Sequence, residues 1–248
     1  MARDFQELRK RLIAETKEKV RKSVSKGNLI IQAVNSIDET DKAANILVKR
    51  LREWYSFYLP EFSGSIASHE KFVELIQKKP KKELLKEIKL AEEKSMGADL
   101  EKKDISPMME LAKSLENLYK LKEKQAKYLE NAMNEYCPNI TAIAGPLIGA
   151  KLLALAGSLE KISSFPSSTI QVLGAEKALF RHLRTGAKSP KYGILHEHPL
   201  ISQAKKQEHG KIARLLADKI AIAAKVDFFK GKFVGDKLKK DIERRLKK

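Results

Sequence analysis

Residues 30–58 read IIQAVNSIDETDKAANILVKRLREWYSFY. Within them Ile30, Val34, Ile37, Asp41, Ala44, Val48, Leu51, Tyr55 and Tyr58 follow one another at steps of four and three. An α-helix turns once every 3.6 residues, so groups at that spacing fall on one narrow stripe; a stripe kept over four heptads is a coiled-coil seam. The period of two that marks a strand is absent. Pro60 stops the helix, because proline has no amide hydrogen to give and crowds the preceding turn.

A second seam follows Pro107, a residue suited to a first helical turn. Met108, Leu111, Leu115, Leu118, Lys122, Gln125, Leu129, Ala132 and Tyr136 again alternate three and four, and Pro138 ends the run. Two helices of roughly 45 Å each, at 1.5 Å per residue, pair most economically as an antiparallel hairpin. Setting Tyr58 against Met108 puts Asp41 opposite Gln125, with Lys122 one layer away. Such a polar layer fixes register at a cost in stability. Between the helices, residues 61–106 hold SHEKFVELIQKK, KKELLKEIKLAEEKS and GADLEKKD, broken by Pro80 and Gly97. These predict a small helical tip with a solvated charged face. The expected organisation is a charged linker helix over 1–27, a hairpin over 28–138 that self-associates, and a globular helical unit over 139–248.

Composition agrees with an all-α fold. A hydrophobic fraction of 42% in 248 residues can bury a core, and aromatics are only 6%. Leu, Ala, Lys and Glu dominate, and all favour helix. The net charge of +18 exceeds what solubility needs and points to a polyanion, either nucleic acid or a membrane surface. The excess is uneven: residues 1–138 hold 28 basic and 23 acidic side chains, residues 139–248 hold 22 and 9. The C-terminal part is therefore the expected polyanion site. One cysteine, Cys137, excludes an intramolecular disulfide and zinc ribbons. The N-terminus is charged rather than an apolar leader, which suits the cytoplasm. Residues 140–159, ITAIAGPLIGAKLLALAGSL, are apolar enough to resemble a membrane span, but Lys151, Pro146 and three glycines favour one buried, closely packed helix. No membrane contact is expected.

Catalytic and metal readings fail on spacing. The histidines of HEH at 196–198 lie two apart in a Pro-flanked loop, whereas HExxH sets them one helical turn apart on one face. A hydrogen-bonded structural role fits them better. GPLIGAK at 145–151 misses the phosphate-loop pattern, with three residues between its glycines. Cys137 has no base marked for it. No catalytic residue, metal ligand or cofactor is assigned.

The stretch 174–201, GAEKALFRHLRTGAKSPKYGILHEHPLI, carries a different signal. Gly174 and Ala175 precede a helix start with bare backbone N–H groups and a positive dipole end that suit a phosphate. Glu176 is ordinary for a first turn. Lys177, Arg181 and Arg184 share a face, Ala178, Leu179, Phe180 and Leu183 are expected to pack, and Lys188 and Lys191 sit in the loop that follows. A long helix is expected from Ser202 to Phe228, with Ile212, Leu215, Leu216, Ile220 and Ala223 inward and Lys211, Arg214 and Asp218 on another stripe. The tail KLKKDIERRLKK reads as a short basic helix. These residues suit a phosphate track, and equally a solvated charged face.

This stretch, together with KIARLLADKIAIAAKVDFF at 211–229, resembles the Nop-domain family, which includes the archaeal and nucleolar core proteins of box C/D ribonucleoproteins. The likeness covers roughly residues 139–245, the preceding hairpin is also the family's arrangement, and the chain is most similar to archaeal members. The resemblance implies a scaffold without catalysis that binds kink-turn guide RNA once a ribosomal-protein-like kink-turn binder is in place. It implies homodimerisation through the coiled coil, with Ile30, Val34, Ile37, Val48, Leu51, Leu111, Leu115, Leu118 and Leu129 in the seam. It implies RNA contact at Gly174, Ala175, Glu176, Lys177, Arg181, Lys188, Lys191, Lys211 and Arg214, and an archaeal cytoplasmic location. Fibrillarin, the 2′-O-methyltransferase, is the implied further partner, gripped by an N-terminal α/β domain. The chain begins at charged helix, so a form lacking that domain is expected. The competing reading from charge alone is a non-specific basic coiled-coil protein.

Overall fold

The structure, a computed structural model, describes residues 2–246; Met1 and the last two lysines of the basic tail, Lys247 and Lys248, lie outside the described residues. Every regular element among the described residues is a helix, as the composition predicts. The chain gathers into two compact units, residues 36–127 and residues up to 35 with 128 onward.

The opening elements are α1 (Ala2–Ser23), α2 (Lys26–Tyr55), α3 (Pro60–Ser65), α4 (His69–Lys78), α5 (Lys81–Glu87) and α6 (Lys102–Tyr136). In the 36–127 unit the seams meet as an antiparallel pair, since Ser36 faces Gln125 and Asp41 faces Lys122. Ala44, Val48, Leu51 and Tyr55 of α2 join Met108, Ala112 and Leu115 of α6 in one core. The tip supplies Leu59, Phe62, Phe72, Val73, Ile76, Leu84 and Leu85 to the same core. On α6 the buried face is turned from the expected seam: Ala112 is fully buried, while Leu111 and Leu118 are only partly so. The α4 helix lies against this side, and Gln77 Nε2 donates to the Ala112 carbonyl at 3.2 Å.

The register differs from the expectation. Asp41 pairs with Lys122, and Gln125 Nε2 donates to Ser36 Oγ at 2.9 Å. The expected alignment was counted from Tyr58 as a helical residue. In the structure α2 ends at Tyr55, and the Leu59 amide closes a turn onto the Tyr55 carbonyl at 2.9 Å. The polar layer survives, shifted by about one turn. At the tip, GADLEKKD is not a separate helix: the chain has no regular structure up to Glu101 and α6 starts at Lys102, with Pro107 inside its second turn. Arg52 ties the tip to α2. Its guanidinium donates to the carbonyls of Ser63 (2.8 Å), Ile66 (2.6 Å) and Ser68 (3.1 Å) and lies 4.5 Å from the Phe72 ring centre.

In the other unit Ile30 and Val34 of α2 are buried, as are Leu129, Ala132 and Met133 of α6, and Lys26 pairs with Glu135. The apolar run then folds as two helices, α7 (Pro138–Ala144) and α8 (Pro146–Ala156), which meet at 116°. One continuous helix was expected. Gly145 breaks it at φ +76°, a backbone conformation that favours glycine, and Pro146 opens the next helix. No single described helix is long and apolar enough to cross a membrane.

The remaining helices are α9 (Leu159–Ser164), α10 (Ser167–Val172), α11 (Glu176–Thr185), α12 (Pro199–Ser202), α13 (His209–Phe228) and α14 (Gly235–Leu246). The α13 helix is the centre of this unit and packs on α7, α9, α10, α12 and α14. Its Ile212, Ala213, Leu216, Ala217, Ile220, Ala223 and Ala224 are buried, and the alanines let neighbouring helices approach closely; Leu215 is only half-buried. The helix begins at His209 rather than Ser202, because residues 203–208 turn and the His209 ring donates to the Ala204 carbonyl at 3.0 Å.

The buried Asp227 carboxylate at the end of α13 holds the start of α7. It accepts from the Asn139 amide (3.1 Å), the Asn139 side chain (2.7 Å) and the Ile140 amide (2.9 Å). Asn139 in turn accepts from the Val234 amide at 2.7 Å. Burial pushes the Asp227 carboxyl above the ordinary range, and the three donors pull it back. Asp227→Asn keeps the shape but turns one acceptor into a donor facing N–H groups. It should cost about 1–3 kcal/mol in urea unfolding, the range for an unsatisfied buried polar group. Wild-type stability for this variant would contradict the clasp.

Candidate nucleic-acid interface

The surface is built from α10, α11, the loop after it, and the first turns of α13. Gly174 sits at φ +89° between α10 and α11, so the chain reverses there. Its amide donates to Glu176 Oε1 at 2.7 Å. Glu176 thus covers the first of the N–H groups that the sequence leaves bare, while Ala175 caps α11 without a side-chain bond. None of the α11 residues is buried. Ala178, Leu179 and His182 are half-buried and form its inner side, whereas Lys177, Arg181 and Arg184 are exposed. Phe180 (64% exposed) and Leu183 (70%) also face solvent, contrary to the packing expected of them. A ten-residue helix lying on the surface has room for only one inward stripe.

The following loop is stitched to α10. The Gly193 amide donates to the Gln171 carbonyl at 2.9 Å, the Ile194 amide to the Leu173 carbonyl at 2.8 Å, and Gln171 Nε2 to the Lys191 carbonyl at 2.6 Å. A Cβ on Gly193 would fall 1.9 Å from the Leu173 oxygen, so only glycine admits this approach. The stitching carries Lys191 over Gly210 at the start of α13.

Two clefts open there, of about 560 and 590 Å³. They share Gln171, Lys211 and Arg214. Ser189, Lys191 and Gln207 complete one; Ser167, Ser168, Asp218 and Arg245 complete the other. The structure therefore brings Lys191 to Lys211 and Arg214, which stand one turn apart on α13 and 20 or more residues beyond it in sequence. Lys188 is exposed in the same loop, and Gly174, Ala175, Glu176, Lys177 and Arg181 line neither cleft. Four cations around two clefts, Lys191, Lys211, Arg214 and Arg245, with hydroxyl and amide groups suit an oxygen-rich polyanion. Sequence reasoning missed Ser167, Ser168, Gln171, Gln207 and Arg245. The serines belong to SSFPSST (163–169), which has no periodicity to flag it, and Arg245 is one cation in a basic tail. The tail helix is docked through Asp241, which accepts from buried Lys219 at 2.8 Å and meets Arg245 at 3.2 Å. Its carboxyl is drawn down to about 2, first by the Lys219 hydrogen bond.

The histidines of HEH diverge. His196 stacks on Tyr192 with ring centres 5.9 Å apart. His198 is buried; its Nε2–H donates to the Ile143 carbonyl at 3.1 Å and its Nδ1 accepts from the Leu200 amide at 3.2 Å. Those partners require the neutral ring. Among the described residues no three His, Cys, Asp or Glu side chains gather as metal ligands. Burial pushes the Cys137 thiol up, away from the reactive thiolate.

A family model described as "Nop: snoRNA binding domain, fibrillarin" matches residues 36–248. A NOP5 family protein of Methanocaldococcus jannaschii is 43% identical over 98% of this chain and 63% of its own length. Nucleolar protein 58 of Schizosaccharomyces pombe is 37% identical over 80% of the chain and 42% of its own length. Nucleolar protein 58 of Neosartorya fischeri matches equally over 36% of its length. This chain thus spans less than two thirds of these relatives. Among solved structures, a chain in the crystal structure of a fibrillarin/Nop5p complex superposes with a TM-score of 0.56 at 27% identity, covering 97% of this chain and 77% of that one.

Burial holds the His198 pKa below its ordinary value of 6.5. The unfolded chain therefore takes up a proton that the folded ring resists, and the stability His198 contributes is present above about pH 6.5 and lost as pH falls below it. Wild type should lose stability between pH 7 and 5 relative to His198→Asn in paired urea titrations. Parallel pH profiles would refute the neutral buried ring.

Proposed function

Because the chain belongs to the Nop family, we propose that it is a scaffold subunit of a box C/D ribonucleoprotein that guides RNA 2′-O-methylation, without chemistry of its own. Its part in the particle is to hold a kink-turn RNA against a ribosomal-protein-like subunit that binds the kink first. The observation that carries this reading is the convergence of Lys191, Lys211 and Arg214 on adjoining clefts, with the basic face of α11 on the same unit. Structured RNA is recognised mainly by shape and phosphates, and lysine and arginine around serine and glutamine side chains fit that recognition. Residues 139–248 are assigned the RNA and protein contacts, with Gly174, Ala175, Glu176, Lys177, Arg181 and Lys188 extending the track along α11 and its loop. Fibrillarin is proposed as the methyltransferase of the same particle, and the archaeal cytoplasm as its location.

The hairpin is proposed to self-associate. The seam residues Val48, Leu51 and Leu115 are already covered within one chain, so the dimer must use other faces. Ile46 (70% exposed) and Leu121 (43%) are apolar groups on the outside of α2 and α6 that support this reading.

Three experiments test the proposals. A gel shift should give weak binding to bare kink-turn RNA and strong binding once the primary binder is added; equal binding to any duplex, with or without that protein, would favour the non-specific reading. Lys177→Glu with Arg181→Glu should lower affinity and reduce the salt slope by about 0.7–0.9 per lost phosphate contact. Sedimentation at micromolar concentration should give twice the 28.0 kDa chain mass, falling to one chain in Ile46→Glu. A monomeric wild type would overturn the dimer.

A further inference from the structure

The end of α13 opposite the clefts carries a second cluster, the turn FFKGKF at 228–233. Apolar groups on a folded surface usually turn inward, yet Phe229 is 76% exposed and Phe233 53%. Phe228 is 37% exposed and braces Phe229 edge to face, with ring centres 5.0 Å apart. Lys230 and Lys232 alternate with the rings and are exposed. No acidic side chain lies in the turn; on its flanks Asp227 is buried in the clasp with Asn139, and Asp236 is exposed in the first turn of α14. The turn is also rigidly held. The Gly231 amide closes onto the Val226 carbonyl at 2.8 Å, and the Val234 amide onto Asn139 at 2.7 Å. Lys230 occupies φ +54°, where a lysine costs more than the glycine usual at a helix end. The backbone that carries the two rings and two ammonium groups is therefore held, and all four side chains are exposed.

We propose that this turn is a stacking platform for unpaired nucleotides, with Phe229 and Phe233 taking bases and Lys230 and Lys232 taking phosphates. Aromatic faces beside a basic track are the chemistry of single-strand binding, since every base has a face to stack and every nucleotide a phosphate to pair. A protein partner is the less favoured occupant, because lysine is depleted in protein interfaces. The clefts reach along α13 to Asp218, which stands 11 residues before Phe229, or roughly 16 Å at 1.5 Å per residue. The platform is thus a site distinct from the clefts. It rests on the reading of the chain as RNA-binding and extends it from structured to single-stranded segments.

The test uses the full chain and two fluorescent probes, a twelve-nucleotide oligouridine and a kink-turn RNA with its primary binder, followed by anisotropy. Phe229→Ala with Phe233→Ala, both exposed and so expected to fold as judged by circular dichroism, should weaken oligouridine binding at least tenfold. Its salt slope should stay unchanged, because stacking releases no counterions. Lys230→Gln with Lys232→Gln should lower that slope by about 1.4. Lys211→Glu with Arg214→Glu should weaken the kink-turn complex and spare oligouridine. If only this last pair behaves otherwise, the cleft reading fails and the platform stands. Wild-type oligouridine affinity in the double phenylalanine variant overturns the platform, as does a change in that variant's sedimentation mass without a change in RNA affinity, which would assign the turn to a protein contact.

Discussion

The Asp227 carboxylate holds the C-terminal unit together. A helix start leaves amide hydrogens without partners, and a buried carboxylate is costly without donors. Each problem answers the other where Asp227 accepts from Asn139 and Ile140. The bond joins α7 to the far end of α13, and through the Asn139 side chain it also fixes Val234 and the approach to α14. With α13 oriented, its alanine-rich face receives α9 and α10, and its first turns present Lys211 and Arg214 to solvent. The clefts are therefore a consequence of how one central helix is held, as well as of the loop that carries the most recognisable sequence.

That loop gains its meaning from short-range stitching. Gly193 passes so close to Leu173 that no side chain fits, and Gln171 reaches across to the Lys191 carbonyl. These contacts turn a Gly- and Pro-rich segment into a defined wall of the clefts. The histidines within it serve the fold: His198 bonds the Ile143 carbonyl, and His196 stacks on Tyr192. In the 36–127 unit Arg52 does comparable work, since its guanidinium satisfies three carbonyls of the tip and covers the Phe72 ring.

Membership of the Nop family agrees with this division of labour. The apolar seams of α2 and α6 are consumed within the chain, so the hairpin is self-supporting and its outer faces remain for partners. The basic excess lies on residues 139–248, where the clefts and the α11 face are found.

The sequence by itself determined the helical class, the α2 seam and the basic character of the C-terminal part. Those properties are periodic or additive, so they can be read from residue spacing and count: Val48, Leu51 and Leu115 are buried as their spacing requires. The Nop signature was legible for the same reason, as a long local pattern. Only the tertiary structure decided the register of Asp41 with Lys122, the break at Gly145, the start of α13 at His209, and the exposure of Phe180 and Leu183. Each depends on where a helix stops or which side a neighbour covers, and a stop moved by three residues shifts a register by nearly a turn. The meeting of Lys191, Lys211, Arg214 and Arg245 around Gln171 lay equally out of reach. Their side chains are joined by packing across four segments, and no spacing along the chain encodes that.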